Sequence, residues 1–349
     1  MESGTIRVGI IGCGAISSMH IQALMSMPEI RIAAVCDIQP QRAQAAAEKT
    51  GAKAFYDWHA LLADPNIQAV HICLPHDLQA PVAIEALHLG KHVLTEKPMA
   101  STLEDARAMI AASEAPGAGT LGVIFQNRYN PATQAARTLI RNQALGAFLG
   151  AKLDVSWHRE APYYTQSGWR GTRAREGAGS LINQAIHTLD LASYLCGPIA
   201  RVRGAIFTGL LEGVIDVEDN VSAVALYEGG QPLVIHTTNN YVIDSPVLLE
   251  MQFERAALRL EGPKLYQCAN GQTVLLEDGS NCASSGQSTL PGKAYWGTGH
   301  AAQIADYYRA IQEGRPFWLD GREGFPALSL VKSIVKSSDE QRWVALEKV

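Results

Sequence analysis

Aromatic residues make up only 7% of this chain and charged residues 18%. Neither sign of charge is in large excess: 29 Lys and Arg stand against 34 Asp and Glu, a formal net charge of -5. That balance argues against an electrostatic nucleic-acid-binding surface. No apolar run reaches the roughly 20 residues that a membrane-spanning helix requires. Met1-Glu2-Ser3-Gly4 carries neither the basic start nor the apolar stretch of a secretory signal, and leads straight into a strand. Cysteine is sparse and scattered: the six, at 13, 36, 73, 196, 268 and 282, form no Cys-x-x-Cys pair. This usage predicts a reduced, cytoplasmic protein without structural disulfides or zinc. His88 and His92 share helical spacing, but Gly90 lies between them and no acid completes a His-Glu-x-x-His pattern, so no metal is expected. Internal repeats and low-complexity stretches are absent as well.

What is present suits two globular domains: 349 residues, 47% of them hydrophobic. The β-branched run Ile6 to Ile11 leads into Gly9-Ile10-Ile11-Gly12-Cys13-Gly14-Ala15-Ile16-Ser17. A helical stretch with His20, Ile21, Ala23, Leu24 and Met27 follows, then a second strand from Ile30 to Cys36 that ends in Asp37. Strand, glycine turn, helix, strand, acid is the order of a dinucleotide-binding unit. Gly12 permits the tight turn and Gly14 lets backbone amides approach a pyrophosphate; Ala15 and Ile16 lead into the helix whose N-terminus favours that anion. Ser17 fills the third glycine position with another small residue. Asp37 is placed to accept hydrogen bonds from both ribose hydroxyls of NAD and to repel a 2′-phosphate, which predicts NAD over NADP. Arg42, one turn into the next helix, weakens that discrimination.

Further α/β units follow, with helices predicted at 43–50, 58–62, 81–89 and 103–113 and buried strands at 69–74, 92–95 and 121–125. The strand at 69–74 runs into Leu74-Pro75-His76, a carboxyl end where cofactor contacts are expected. Gln126, just past the last strand, is counted with them. The strand at 92–95 ends in Glu96-Lys97-Pro98. A lysine there, flanked by an acid and fixed behind by proline, is placed for chemistry rather than for solubility. Glu96 is expected to hold Lys97 or the cofactor ribose, and Lys97-Pro98 is a candidate cis peptide.

From about Gln126 the pattern changes. Residues 131–141 read as an amphipathic helix, and strands then alternate with turns at 151–157, 202–208, 221–227, 233–238 and 248–253. Strand runs without intervening helices predict a mainly antiparallel sheet. Helices at 301–311 and 325–338 follow, and the expected domains are 1–125 and 126–349. One helix, 180–195, interrupts this half after Gly177-Ala178-Gly179. On it Asn183, His187 and Asp190 fall at i, i+4 and i+7 and so project from one face, which also carries Leu191 and Tyr194. Upstream, Trp169-Arg170-Gly171 offers an aromatic and a planar cation to a phosphate, a carboxylate or a nicotinamide. Arg128, Tyr129, His158, Tyr163, Tyr164, Arg170 and His300 are candidates to line a substrate pocket, and none of them names the substrate.

Four stretches together resemble the Gfo/Idh/MocA family of NAD(P)-dependent oxidoreductases. They are Gly12-Cys13-Gly14-Ala15-Ile16 with His20; Gly90-Lys91-His92-Val93 followed by Glu96-Lys97-Pro98; Gly177-Ala178-Gly179 leading to His187 and Asp190; and Gly321-Arg322-Glu323-Gly324. The resemblance implies an α/β chain with an N-terminal Rossmann domain and a C-terminal α+β domain built on a large, mainly antiparallel open sheet. The outer face of that sheet would make a homodimer or homotetramer contact. It implies NAD-dependent hydride exchange at a carbon of a sugar, sugar derivative or cyclitol. Lys97 matches the family's catalytic lysine and His187 its catalytic histidine. Where the commoner pattern has an aspartate four residues before that histidine, this chain has Asn183, and Asn183-Gln184 is similar to a subgroup with Asn-Gln there. Ser17, and Gln79 where a histidine often stands, are further departures.

Oxidising a secondary alcohol needs a base for the hydroxyl proton. His187 is the expected base, since an imidazole titrates near neutral pH. A protonated Lys97 would stabilise developing alkoxide charge, and the two would titrate as a coupled pair. An amide takes no proton, so Asn183 is expected to orient a hydroxyl or His187. Two other functions fit the same residues. One is transient oxidation that acidifies a neighbouring carbon and drives elimination of a glycosidic bond, with no net change in NAD. The other is a dinucleotide-sensing regulatory protein without turnover, against which the retention of both Lys97 and His187 weighs.

Overall fold

The computed structural model describes residues 5–280 and 299–349; the expectations placed on Cys282 and on Met1-Glu2-Ser3-Gly4 lie outside the described residues. Contacts divide the chain into two units, one running to Ile124 and taking in His300–Phe325, the other comprising Phe125–Gly299 and Pro326–Lys348.

In the first unit the strands are β1 (Ile6–Ile11), β2 (Ile30–Cys36), β3 (Lys53–Phe55), β4 (Ala69–Ile72), β5 (His92–Thr95) and β6 (Leu121–Val123). They form a sheet of order β3-β2-β1-β4-β5-β6, parallel at every pairing. Helices Ser17–Met25, Pro40–Thr50, Trp58–Leu62, His76–His88 and Leu103–Ser113 intervene along the chain. β4 and β6 are buried throughout and β1 nearly so, as expected of strands covered on both faces. The strand order reverses between β1 and β4, the position where open α/β sheets form their ligand crevice. Ile11 pairs with Cys36 and Ile72, and Ile72 with Thr95. The residues that leave these strands, Gly12, Asp37, Cys73 and Glu96, therefore emerge at one level.

Two elements depart from expectation here. The helix predicted from Pro81 begins at His76, and Pro81 sits inside it at the expense of one backbone hydrogen bond. Residues 300–325, expected in the second domain, belong with the first unit. Helix Gly299–Gln312 buries Tyr307 and Tyr308 completely. Tyr307 Oη donates to Thr120 O at 2.8 Å, and Gln303 Nε2 donates to Val123 O at 2.7 Å. A Cβ at Gly122 would lie 2.9 Å from the Tyr307 ring, so β6 admits that ring only over a glycine. Helical periodicity reveals that such a face is buried, but not against what.

The second unit carries β7 (Phe148–Ser156), β8 (Ile199–Phe207), β9 (Asn220–Tyr227), β10 (Pro232–Thr238), β11 (Leu248–Phe253), β12 (Ala257–Glu261), β13 (Lys264–Ala269), β14 (Gln272–Asp278) and β15 (Val344–Ala345). They make one sheet of order β14-β13-β12-β11-β7-β10-β9-β8-β15. Only β7 with β10 is parallel among its pairings, so the sheet is mixed and mostly antiparallel. Along β9 and β10 buried and exposed residues alternate, which marks a sheet covered on one face. Helix Ile186–Cys196 packs on β7 and β11, and Pro131–Arg141 on β12, β13 and β14. β13 and β14 escaped the sequence reading because they bury little apolar surface. The signal present was Asn270-Gly271, both at positive φ, a two-residue hairpin turn. The helix predicted over 180–195 is a π turn at Leu181–Ala185 followed by the α-helix Ile186–Cys196. Among the described residues no helix is long and apolar enough to cross a membrane.

Candidate functional site

In the first unit the turn after β1 is built for close approach. Gly12 has φ +93°, and a Cβ there would lie 2.4 Å from Cys73 O, so conformation and space both demand glycine. A Cβ at Gly14 would meet nothing within 4 Å. Ala15 is exposed and Ile16 half-buried just before helix Ser17–Met25. Ser17 is buried and donates to Gly14 O at 2.7 Å, closing the turn from the third glycine position. The Asp37 carboxylate is fixed against the same turn: it accepts from Cys13 N–H at 2.9 Å and from Gln39 N–H at 2.8 Å. An open depression beside it is lined by Cys13, Gly14, Ser17, Arg42 and Lys49. Leu74 and Pro75 leave β4 half-buried, and His76 begins the next helix buried. An open glycine turn, a helix N-terminus and a fixed carboxylate fit a dinucleotide: Gly12, Gly14, Ala15 and Ile16 would offer main-chain approach, Asp37 a ribose acceptor. Replacing Asp37 with serine should weaken NAD binding by roughly tenfold to a hundredfold, the range for hydrogen bonds to a charged group, while weakening NADP less. Calorimetric titration with both nucleotides checks this; an unchanged preference would remove Asp37 from the ribose.

Lys97 follows β5 half-buried, and Lys97-Pro98 is cis. Glu96 holds the Lys97 main chain and also turns inward. Its carboxylate is buried within the unit: Oε1 lies 2.9 Å from His20 Nε2 and 3.5 Å from His300 Nε2, while Oε2 accepts the Lys97 N–H at 3.2 Å. Burial alone would raise the Glu96 carboxyl, but hydrogen bonds from His20 and His300 and their charge hold it well below the usual carboxylate range. His300, a pocket candidate in the sequence, thus belongs to this internal cluster. Beyond it, His20 Nδ1 lies 2.7 Å from His71 Nδ1, and His71 Nε2 lies 2.8 Å from Tyr308 Oη. The links form a continuous chain in which His71 carries a proton on one ring nitrogen and accepts at the other. Burial, then the neighbouring His20, pushes His71 well below 6.5, so it is neutral when folded. Unfolded His71 takes up a proton as pH falls below 6.5 while the folded side chain does not, so its contribution to stability is lost in acid. The stability gap between wild type and His71→Gln should therefore narrow as pH falls, by up to roughly tenfold in folding constant per pH unit. Denaturant melts at several pH values measure the gap; a constant gap would mean that folded His71 also charges.

In the second unit the three polar residues of the interrupted helix have different partners, and the π turn takes Asn183 off the α-helical register that His187 and Asp190 keep. Asp190 is buried and held bidentately by Arg128, through Nε at 2.9 Å and Nη2 at 2.7 Å. Arg128 also lies over the Tyr194 ring at 4.6 Å, so it is a buried structural cation rather than the substrate contact expected. His187 is half-buried, with Gln126 Nε2 at 3.3 Å from its Nε2 and the Phe125 ring edge-on at 5.9 Å. Gln126, expected among the cofactor contacts, is thus placed beside His187. Asn183 Nδ2 donates to Glu176 Oε1 at 2.6 Å. Glu176 was missed in the sequence, where only its place directly before Gly177-Ala178-Gly179 hinted at a role. Glu218 was missed too; buried, it accepts the N–H groups of Gly179 and Leu181 and so fixes the entry to the π turn.

The remaining candidates separate clearly. Two guanidiniums lie over the Tyr163 ring, Arg170 at 4.7 Å and Arg159 at 5.4 Å, and Arg170 also lies 4.7 Å over Trp169. Gln184 Nε2 donates to Tyr163 Oη at 3.2 Å, and Asn239 Nδ2 donates to both Tyr164 Oη and Gln184 Oε1. Tyr164 itself packs against Leu211, Ile215 and Val217. This makes a wall of aromatic faces and amides around Arg170. His158 is exposed, bonded to Tyr241 O at 2.6 Å and close to Glu160. Tyr129 ends a short 3-10 turn half-buried.

Comparison with known proteins agrees with this architecture. Residues 6–123 match the family model described as an oxidoreductase family with an NAD-binding Rossmann fold, and residues 133–259 match the C-terminal domain of the same family. Levoglucosan dehydrogenase of Pseudarthrobacter phenanthrenivorans is 25% identical, with 99% of each chain covered. Inositol 2-dehydrogenase of Rubrobacter xylanophilus is 34% identical over 55% of this chain and 53% of its own. Among solved structures, the WlbA dehydrogenase from Bordetella pertussis in complex with NADH and UDP-GlcNAcA superposes with a TM-score of 0.87 at 27% identity, covering 100% of both chains. With a glycine turn and fixed acid on a parallel sheet in one unit and a mixed nine-stranded sheet in the other, the chain belongs to the Gfo/Idh/MocA family of NAD-dependent oxidoreductases.

Proposed function

We propose that this protein is an NAD-dependent dehydrogenase that oxidises a secondary hydroxyl, or reduces the matching ketone, on a sugar, sugar derivative or cyclitol. The observation that carries the substrate class is the wall formed by Tyr163, Trp169 and Arg170, backed by the buried Gln184 and Asn239, beside the Glu176-Asn183 pair. Ring faces suit the C–H faces of a polyhydroxylated ring, and amides suit its hydroxyls. Relatives named as levoglucosan and inositol dehydrogenases support the same class. NAD, when bound, supplies the hydride acceptor. His187 takes the hydroxyl proton at the ring nitrogen that Gln126 Nε2 now faces, the substrate hydroxyl replacing that contact. Lys97 carries positive charge to the oxygen as its negative charge develops. Asn183 orients a hydroxyl without exchanging a proton.

A screen of cyclitols, aldoses, anhydrosugars, lactones and uronic acids with NAD and with NADP tests the proposal. Reduced nicotinamide formed with at least one of them is the expected result, and product formed without net reduction would mark an elimination instead. Tight NAD binding with no turnover on any of them would favour a regulatory protein. The partner we infer is a second copy of the chain, on the outer face of the large sheet. Val224 and Val234 pair across β9 and β10 with 39% and 50% of their surfaces exposed, and Leu149 on β7 is 53% exposed. A reduced cytoplasmic setting fits the five free cysteines of the described residues.

A further inference from the structure

Arg170 sits in a turn pinned on both sides. Ser167 Oγ accepts the Arg170 N–H at 2.9 Å, Thr172 Oγ1 donates to Trp169 O at 2.7 Å, and Gly171 O accepts the Asp216 N–H at 2.9 Å. The side chain so placed is half-buried, with its guanidinium over the Tyr163 and Trp169 rings, 4.7 Å from each. Ring faces attract its charge but accept none of its N–H groups in the manner of an oxygen. Its Nε is buried without an acceptor, and among the described residues the guanidinium makes no hydrogen bond and no ion pair. The neighbouring cation differs. Arg159, over the same Tyr163 ring, donates to both carboxylate oxygens of Asp244, at 2.9 and 3.2 Å. Glu176 feels the charge of Arg170, but its carboxylate oxygens accept from the Gly171 N–H and from Asn183. An arginine does not shed its proton, so a partly desolvated one keeps its charge and calls for an anion.

We propose that Arg170 holds a carboxylate of the substrate, so that the compound oxidised is a sugar acid, a uronate or an aldonate, rather than a neutral sugar or cyclitol. The proposal rests on the dehydrogenase reading and narrows its substrate class. Charge decides among the partners that could meet this cation. A hydroxyl, or the neutral carboxamide of a nicotinamide, would leave the charge unbalanced where water is partly excluded. A phosphate monoester carries about −1.5 to −2 near neutral pH, more than one unmatched cation offsets, and would set the excess beside Glu176. A carboxylate carries a single charge, and its two oxygens match the fork of a guanidinium. The pinned turn and the two rings restrict that fork before a ligand arrives, so less freedom is lost on binding. The anion site is also tied to the base. Tyr163 Oη accepts from Gln184 Nε2 at 3.2 Å, and Gln184 lies in the π turn that leads into the helix of His187.

Matched pairs of compounds test this. Glucuronate, galacturonate and gluconate are set against glucose, galactose and glucitol, with glucose 6-phosphate as the competing anion. Each is assayed for NAD reduction and, separately, titrated by calorimetry into the protein saturated with NADH. At least one acid should show a kcat/KM roughly tenfold to a hundredfold above that of its neutral counterpart, the range for hydrogen bonds to a charged group, and should bind with the same preference. In Arg170→Met the preference should vanish through a rise in KM and Kd for the acid. Arg170→Gln donates without charge, so it should instead prefer the uronamide to the uronate. A variant that had merely lost its fold would bind neither, and the reversal therefore separates recognition from damage. No preference for any acid over its neutral counterpart overturns the proposal, and so does a preference for the phosphate. A loss of NADH affinity in Arg170→Met as large as the loss for the acid would assign Arg170 to the cofactor and overturn it as well. Turnover of neutral compounds alone defeats this inference and leaves the dehydrogenase reading standing. Absence of turnover on every compound defeats that reading, and the titrations still decide whether an acid is held through Arg170.

Discussion

His187→Ala and Lys97→Ala should each lower kcat by about a hundredfold or more, with thermal midpoints close to wild type. The first expectation follows from the place of the imidazole. It stands on the first turn of an α-helix, half-buried, with Gln126 at one nitrogen and a phenylalanine ring edge-on. A group held this way has its ring direction set before substrate arrives, which general-base catalysis requires. His187→Asn discriminates proton transfer from positioning, because the amide keeps a polar contact to Gln126 but exchanges no proton. It should be nearly as poor as alanine; retention of more than about a tenth of the wild-type rate would reduce His187 to an orienting group. The lysine differs in kind. Lys97→Arg keeps the charge and should retain more activity than Lys97→Met if the role is electrostatic, and be equally inactive if Lys97 gives up a proton.

Asp190→Ala should destabilise the second unit by about 3–5 kcal/mol, the cost of leaving a buried charge without its partner. Arg128 is 3% exposed and Asp190 2%, and the guanidinium meets the carboxylate through two nitrogens. With the carboxylate gone, the cation stays in a site walled by the Phe125 and Tyr194 rings. Arg128→Met with Asp190→Leu removes both charges and should cost far less than either charge removed alone. Urea denaturation of the single and double variants measures the coupling. A loss below about 1 kcal/mol in Asp190→Ala would show that water reaches the pair, and Arg128 would return as a substrate candidate.

The dinucleotide half was legible because its signals are local. The strand His92–Thr95 is bounded by Gly90 and Pro98, helix Leu103–Ser113 starts from a capping Thr102, and Asp37 stands directly at a strand end. The pairing of the two domain types was legible through the change from alternating to strand-only segments near Gln126. What stayed hidden depends on contacts between distant residues or on broken periodicity. Arg128 meets Asp190 across 62 positions, and His71 meets Tyr308 across 237, so neither pairing has a spacing to recognise. The face shared by Asn183, His187 and Asp190 was inferred from 3.6 residues per turn, which a π turn at Leu181–Ala185 does not keep. Glu96 illustrates a further limit. Adjacent to Lys97 in sequence, it turns inward to His20 and His300, and neighbouring residues at a strand end face opposite sides.

Hydride transfer is the central claim, and following one hydrogen tests it most directly. A substrate carrying deuterium on the carbinol carbon, incubated with NAD, should yield reduced nicotinamide with deuterium at C4 in proportion to the ketone formed, and His187→Ala should form neither at more than about a hundredth of the wild-type rate. Ketone or cleavage product appearing without label in the nicotinamide pool would contradict the account.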